Sequence, residues 1–380
     1  MVKENKLKII QFISSLGKGG AERLVVDLCN KFSENDDIEI ILCVYNEDNS
    51  APNFKNEIID KVKYVNLNKK KYSNLLFQFK IFNFLIKEKP DIINSHLSGT
   101  VMFLYLPILF LKSVKFFHTI HNLAEEELSS KFLRQIRKII YSTNKLIPIS
   151  ISNITQLSHT KIYGIDSKII YNGVKRNDKT HEFELVKKEI SSYKKNNETK
   201  VFLSVGRINS RDDQKNYKLL IEVFVKLHEN NCNAILLIIG SDNSKDQRTM
   251  KNLIKLKKEN VFLLGPKNNI SDYMLNADFY CLSSKFEGLP ITIIEALSFG
   301  LPVLSTNVGG INELITDNVN GLLINNLNTD SYYNKLAEII GWDNAKLNQV
   351  RLNNNLKYSN NYSIEIASKS YFELYSQSLV

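Results

Sequence analysis

Strand-length apolar runs alternate with helical patterns along almost the whole chain, and a polar stretch interrupts the series once. Residues 6–15, 38–45, 62–66, 91–95, 115–120 and 146–149 read as strands. Residues 21–32, 75–89 and 129–143 read as helices between them. A second series follows, with strands at 201–205, 234–239, 261–264, 279–282 and 302–305 and helices at 217–228, 247–257 and 291–299. Strands alternating with helices imply βαβ units and a parallel sheet. The polar stretch 176–199 reads as linker and helix, which places a boundary near Gly173 and Val174. The expectation is an α/β chain of two doubly wound domains, 1–174 and 175–361, closed by helical patterns at 343–357 and 364–376. A length of 380 residues agrees, being more than one core usually holds. Ligands in such sheets sit beyond the carboxyl ends of the strands, and the cleft between two such domains is the expected site.

A net charge of +10 favours anionic partners. No zinc-finger spacing, basic zipper or RNA-binding aromatic motif is present, so nucleic acid is not expected among them. Cys29, Cys43, Cys232 and Cys281 form no Cys-x-x-Cys pair and read as reduced, buried thiols. The polar residues 1–8 lead straight into a strand, without a signal-peptide pattern. The apolar run 101–111 carries Pro107, falls short of the ~20 residues that span a bilayer, and reads as a buried helix. A cytoplasmic location follows as an expectation.

Three segments carry chemistry. Gly17, Gly19 and Gly20 end the first strand and open the first helix, where bare backbone N–H groups can approach an anion. A tight turn would need the same glycines. Arg207 follows the first strand of the second series, and Lys215 precedes the next helix. A guanidinium and an ammonium at one strand end suit a diphosphate, and would neutralise a nucleotide leaving group in place of a metal. Either residue alone could be an ordinary solvated base. The third segment starts at Ser284. Glu287 lies in its loop, Gly288 lets the chain turn, Pro290 suits the first helical position, and Glu295 lies within the helix. The two carboxylates can accept from paired sugar hydroxyls, and the N–H groups of Gly288, Leu289 and Ile291 can donate to a phosphate or sugar oxygen. No Asp-x-Asp pair stands at a strand end to hold Mg²⁺ or Mn²⁺, so no metal and no cofactor are expected.

Glu287 and Glu295, with seven residues between them, resemble the Glu-x7-Glu motif of retaining glycosyltransferase family four, whose members have the GT-B fold. Gly-Gly-Ala-Glu-Arg at 19–23, Val-Gly-Arg at 205–207 and the pair Gly309 and Gly310 agree with it, and the likeness covers nearly the whole chain. The resemblance implies two Rossmann-like domains facing a cleft, with residues 362–380 crossing back to complete the first. It implies that Arg207 and Lys215 hold the donor diphosphate, that Glu287 contacts the donor sugar and that Glu295 contacts the ribose. Gly19 and Gly20 would lie near the phosphates. His121, in Thr-Ile-His-Asn, matches the histidine that reaches the reacting sugar, and His118 and His96 stand at or near strand ends as rival candidates. One departure is a longer, more acidic stretch after Arg207, with Asp212 and Asp213 before Lys215.

The implied activity is metal-independent hexosyl transfer, with retention, from a nucleotide-sugar, by family habit a UDP-sugar. The acceptor would be a glycan or lipid-linked sugar in bacterial surface polysaccharide, lipopolysaccharide or glycolipid synthesis. Helix 129–143 sets Lys131, Arg134, Arg137 and Lys138 beside Phe132, Leu133, Ile136, Ile139 and Ile140, and residues 69–71 add three lysines. Such a surface can rest on the anionic inner face of the cell membrane, or be an ordinary helix with a solvated face. A nucleotide-sugar epimerase or phosphorylase of the same fold, and a silent partner of an active transferase, are the alternatives.

Overall fold

The computed structural model describes residues 6–17, 19–47, 53–127, 130–208, 213–242 and 248–379. Ser129, Asp212 and Gln247, counted above in helices or loops, lie outside them, as do residues 1–5 of the polar start. The chain forms two compact units, Met1–Val174 with Asn361–Val380, and Lys175–Asn360.

The first unit is built on a seven-stranded sheet: β1 (Leu7–Ile13), β2 (Ile38–Val44), β3 (Lys63–Asn66), β4 (Ile92–His96), β5 (Lys115–Ile120), β6 (Leu146–Ser150) and β7 (Lys168–Ile169). The spatial order is β3-β2-β1-β4-β5-β6-β7, with every pairing parallel. β1 therefore has β2 on one side and β4 on the other, and the winding reverses between β1 and β4. That reversal opens a crevice at the carboxyl ends of these two strands.

Side chains alternate across a strand. Ile9 and Ile13 of β1, Ile92 of β4 and Phe117 of β5 pack on one face, against Leu24 and Leu28 of the helix Gly20–Phe32 and Tyr371 and Tyr375 of the C-terminal helix Ile364–Leu379. Ile10, Phe12, Ile93 and Phe116 pack on the other, against Phe77, Ile81 and Leu85 of the helix Asn74–Glu88. The C-terminal helix is tied in by Ile364 N–H, which donates to the carbonyl of Val174 at 3.1 Å.

The second unit repeats the plan with β8 (Lys200–Val205), β9 (Ala234–Ile239), β10 (Val261–Gly265), β11 (Phe279–Leu282), β12 (Val303–Thr306) and β13 (Gly321–Ile324). The order is β10-β9-β8-β11-β12-β13, again all parallel, so the winding reverses between β8 and β11.

The stretch 176–199 holds the helix expected of it, packed onto the second unit. Its helix Phe183–Tyr193 buries Val186 and Ile190, Tyr193 stacks on Phe262, and Thr180 Oγ1 donates to Asp272 at 2.6 Å. The run 101–111 is not one buried helix. It breaks into Ser98–Val101 and Tyr105–Phe110, and Leu109 and Phe110 are exposed at the end of the second piece. Among the described residues no helix is long and apolar enough to cross a membrane.

Candidate functional site

The strand ends at each reversal carry the residues singled out above. In the second unit, β8 delivers Gly206 and Arg207, and β11 delivers the loop from Ser283 to Pro290. Lys215 lies over Gly206: a Cβ placed on that glycine would come within 3.0 Å of Lys215 Cε. From there the ammonium reaches Glu287, with Nζ 2.7 Å from Oε1. Ser284 Oγ donates to the same Oε1 at 2.6 Å. Both side chains of the ion pair are largely buried, at 15% and 8% exposure, so each strongly limits the other's position. Arg207 is exposed, and among the described residues no hydrogen bond or ion pair holds it.

The two loops are bound together along their length. Lys285 N–H donates to the Gln214 carbonyl at 2.8 Å, Gln214 Nε2 to the Phe286 carbonyl at 3.0 Å, and Ser283 Oγ to the Lys215 carbonyl at 2.8 Å. Asp213, one of the acidic residues that set this stretch apart, pairs with Lys285 at 3.1 Å and leaves Lys215 to Glu287. The turn at Gly309 and Gly310 presses on the same loop. Gly310 N–H donates to the Gly288 carbonyl at 2.9 Å, and a Cβ at Gly309, whose φ is +56°, would run into the Glu287 carbonyl oxygen.

The helix begins at Ile291, as its range predicts, and Pro290 is its N-cap rather than its first helical residue. The N–H groups of Ile291 and Thr292 open the first turn, while that of Ile293 donates to the Pro290 carbonyl at 3.1 Å. Leu289 is buried, Gly288 is partly exposed, and Glu295 is half-buried in the helix.

In the first unit, Gly19 is the N-cap of the helix that starts at Gly20. The Glu22 side chain folds back over Gly19, a carboxylate at a helix N-terminus. Arg23 of the same motif is structural, pairing with Asp27 at 2.9 Å and with Glu57.

His96 and His121 come together in a buried polar cluster. The register sets Gln11 beside Asn94 and His96 beside Thr119, so strand alternation turns Gln11, Asn94, His96, Thr119 and His121 to the face that the C-terminal helix covers. His96 Nε2 donates to Gln11 Oε1 at 2.7 Å, which leaves His96 Nδ1 to accept from His121 Nε2 at 3.1 Å. Thr119 Oγ1 lies 3.2 Å from the Tyr371 hydroxyl. Burial pulls the His121 imidazole down to about 3, and burial, then the neighbouring His121, holds His96 well below the usual range. Both are neutral near neutral pH, and His121 can hydrogen-bond a hydroxyl without carrying charge.

His118, three residues earlier, falls on the opposite face, where its Nδ1 lies 2.6 Å from the Tyr141 hydroxyl. Next to His96, Leu97 holds φ +69°, a strained value for leucine and of a kind that clusters at functional sites. Gln11, Asn94, Ser283 and Gln214 belong to none of the motifs, and Ser284 only marks where one begins. The available signal was polar residues in otherwise apolar strands, and a Ser-Ser pair at a strand end.

Among the described residues no group of three His, Cys, Asp or Glu side chains is placed to hold a metal ion. Two family models match the chain, Glycosyltransferase Family 4 over residues 18–178 and Glycosyl transferases group 1 over residues 186–355. An uncharacterized glycosyltransferase of Methanocaldococcus jannaschii is 30% identical over 272 residues, 66% of this chain and 65% of that protein. The UDP-Gal:alpha-D-GlcNAc-diphosphoundecaprenol alpha-1,3-galactosyltransferase of Escherichia coli is 27% identical, covering 75% of this chain and 74% of its own length. Among solved structures, a glycosyltransferase from Rickettsia africae superposes with a TM-score of 0.81 at 18% identity, over 98% of each chain. Anabaena HepE in complex with UDP-glucose gives 0.80 at 18% identity, over 97% of this chain and 99% of that one. These likenesses and the two doubly wound parallel sheets agree: the chain is a glycosyltransferase of the family 4 type, with the GT-B fold.

Proposed function

We propose that this enzyme transfers a sugar from a UDP-sugar to a lipid-linked or glycan acceptor, with retention at the anomeric carbon and without a metal ion, in bacterial surface polysaccharide or glycolipid synthesis. The observation that carries the reading is the buried Lys215–Glu287 pair at the β8/β11 reversal, with an exposed Arg207 at the end of β8. Support for the substrates comes from the Escherichia coli relative, named for a UDP-galactose donor and a diphosphoundecaprenol acceptor, and from Anabaena HepE with its UDP-glucose.

Arg207 and Lys215 bind the diphosphate and stabilise the charge that grows on it as the C1–O bond breaks. Lys215 and Ser284 both occupy Glu287 Oε1, which leaves Oε2 to accept from a donor-sugar hydroxyl. The N–H groups of Gly288, Leu289 and Ile291, with Pro290 fixing the turn, face phosphate or sugar oxygens, and Glu295 accepts from the ribose hydroxyls. Gly19 and Gly20 offer backbone N–H groups to an anion, and neutral His121 can hydrogen-bond a sugar hydroxyl. The acceptor oxygen bonds to C1 on the face the phosphate leaves, and its proton passes to the departing phosphate oxygen. No protein nucleophile takes part.

The test is incubation with UDP-sugars and a diphosphoundecaprenol-linked sugar in EDTA, reading UDP release and product anomer by NMR. An acceptor-linked sugar with retained configuration supports the reading. An inverted product, a strict Mg²⁺ or Mn²⁺ requirement, or an epimerised donor with no transfer contradicts it.

A further inference from the structure

The helix Asn74–Glu88 is apolar on both sides. Phe77, Ile81 and Leu85 point into the core, at a spacing of four. Leu75, Phe79, Phe82 and Ile86, spaced by four, three and four, form a second stripe on the other side. Of these, Leu75, Phe79 and Ile86 are 64%, 49% and 48% exposed. An all-round apolar helix is normally covered on all sides. Here the outer stripe is continued by the short helix Tyr105–Phe110: Phe82 and Phe110 meet edge to face at 6.2 Å, and Phe110 and its neighbour Leu109 are exposed. Two helices thus present one apolar face with nothing over it among the described residues.

The charge around that face decides its partner. Residues 69–115 contain eight lysines against only Glu88 and Asp91, six of the chain's ten net positive charges. Lys70, Lys87 and Lys112 are exposed. Glu88 is spent within the fold on Lys63 at 2.7 Å, and Asp91 on the backbone N–H of Lys8 at 2.8 Å. A second copy of this chain would bring the same excess of lysines against itself. An anionic bilayer takes in apolar side chains and neutralises the basic rim together.

We propose that the outer face of helices Asn74–Glu88 and Tyr105–Phe110 seats the enzyme on an anionic lipid bilayer. The helix Lys131–Ser142, which the sequence suggested for this role, is less suited. Its Arg137 turns inward, fully buried, to donate to Ser98 at 2.7 Å, and only Phe132 and Ile139 stand out as exposed large apolar residues. The seat serves the transfer reading by holding the enzyme where a lipid-linked acceptor lies. Its test needs no nucleotide or acceptor, so the two readings fail separately.

The test is flotation of the full chain with phosphatidylcholine vesicles, with and without phosphatidylglycerol. The expected result is binding to the anionic vesicles only, weakened by salt. Phe79→Glu/Phe110→Glu should abolish it while the melting temperature stays near native, since both side chains are exposed. Each of Lys70→Gln, Lys87→Gln and Lys112→Gln should weaken partition about fivefold. Phe132→Glu/Ile139→Glu should float as the native chain does. Three results overturn the proposal: no flotation of the native chain, flotation unchanged in Phe79→Glu/Phe110→Glu, or a native dimer that this double variant splits.

Discussion

Lys215 Nζ lies 2.7 Å from Glu287 Oε1, joining two loops whose residues stand 72 apart in the chain. The pair ties these loops together in the second unit. Removing one member of a buried pair leaves the other uncompensated and typically costs about 3–5 kcal/mol, less where water can reach it. Lys215→Ala and Glu287→Gln should therefore each destabilise, and the double variant should lose less than the sum of the two. Chemical denaturation of all four proteins measures this. Strict additivity would show that the pair contributes nothing as a pair.

Function should divide the same residues differently. Lys215→Ala should weaken nucleotide binding, whereas Glu287→Gln should retain it and lose turnover by about a hundredfold or more, as expected when a group acts on the reacting sugar. Near-native turnover in Glu287→Gln contradicts the role given to that carboxylate.

The backbone at Gly309 supplies a cleaner probe of the loop. Gly309 and Gly265 both hold positive φ, at +56° and +68°, but a Cβ at Gly309 meets the Glu287 carbonyl while one at Gly265 meets nothing within 4 Å. Gly265→Ala should cost only the conformational penalty of about 1–2 kcal/mol. Gly309→Ala should cost more and also remove stabilisation by nucleotide. Equal effects in melting and in nucleotide response would separate this turn from the site.

Acid should attack the first unit. His96, His118, His121 and His159 lie there, all buried and all held below the ordinary value of 6.5 chiefly by burial, His121 at about 3 and His159 at about 4. The unfolded chain binds protons that the folded chain refuses. This contribution to stability is intact above about pH 6.5 and is lost as the pH falls toward the folded values, by about 1.4 kcal/mol per pH unit for each histidine. Calorimetry between about pH 7.5 and pH 5.5 should show the first unit melting earlier. A melting temperature flat across that range contradicts the assignment.

The two histidines near the end of β5 can be separated by activity. His121→Ala should lower turnover about a hundredfold. His118→Gln should change stability but leave the turnover of folded enzyme within a few-fold of native, because His118 faces Tyr141 on the other side of the sheet. The opposite ranking would move the site to the wrong face.

Much of this was legible in the chain. Alternating strands and helices announced two parallel sheets, and the motifs at strand ends singled out Lys215 and Glu287, which the fold joins in one ion pair. That His118 and His121 face opposite ways follows from their spacing once the strand direction is known. What spacing could not show is who meets whom across the sheet. Gln11 reaches His96 from a strand 85 residues away, and the ties of Gln214 and Ser283 exist only because β8 and β11 are neighbours. Nor does a helical pattern say which basic residue turns inward. Arg137 reads as part of a solvated basic face, yet its long stem carries the guanidinium to a buried seat at Ser98.

The most direct test of a nucleotide-sugar site at the β8/β11 reversal is the melting temperature of the native chain and of Arg207→Ala/Lys215→Ala, with UDP, GDP or ADP and EDTA. A ligand that binds only the folded state must raise it, by about 2.7 kcal/mol of stability at a hundred times Kd. The expected result is a rise with UDP in the native chain that vanishes in the double variant. No rise with any nucleotide, or an equal rise in both proteins, would contradict it.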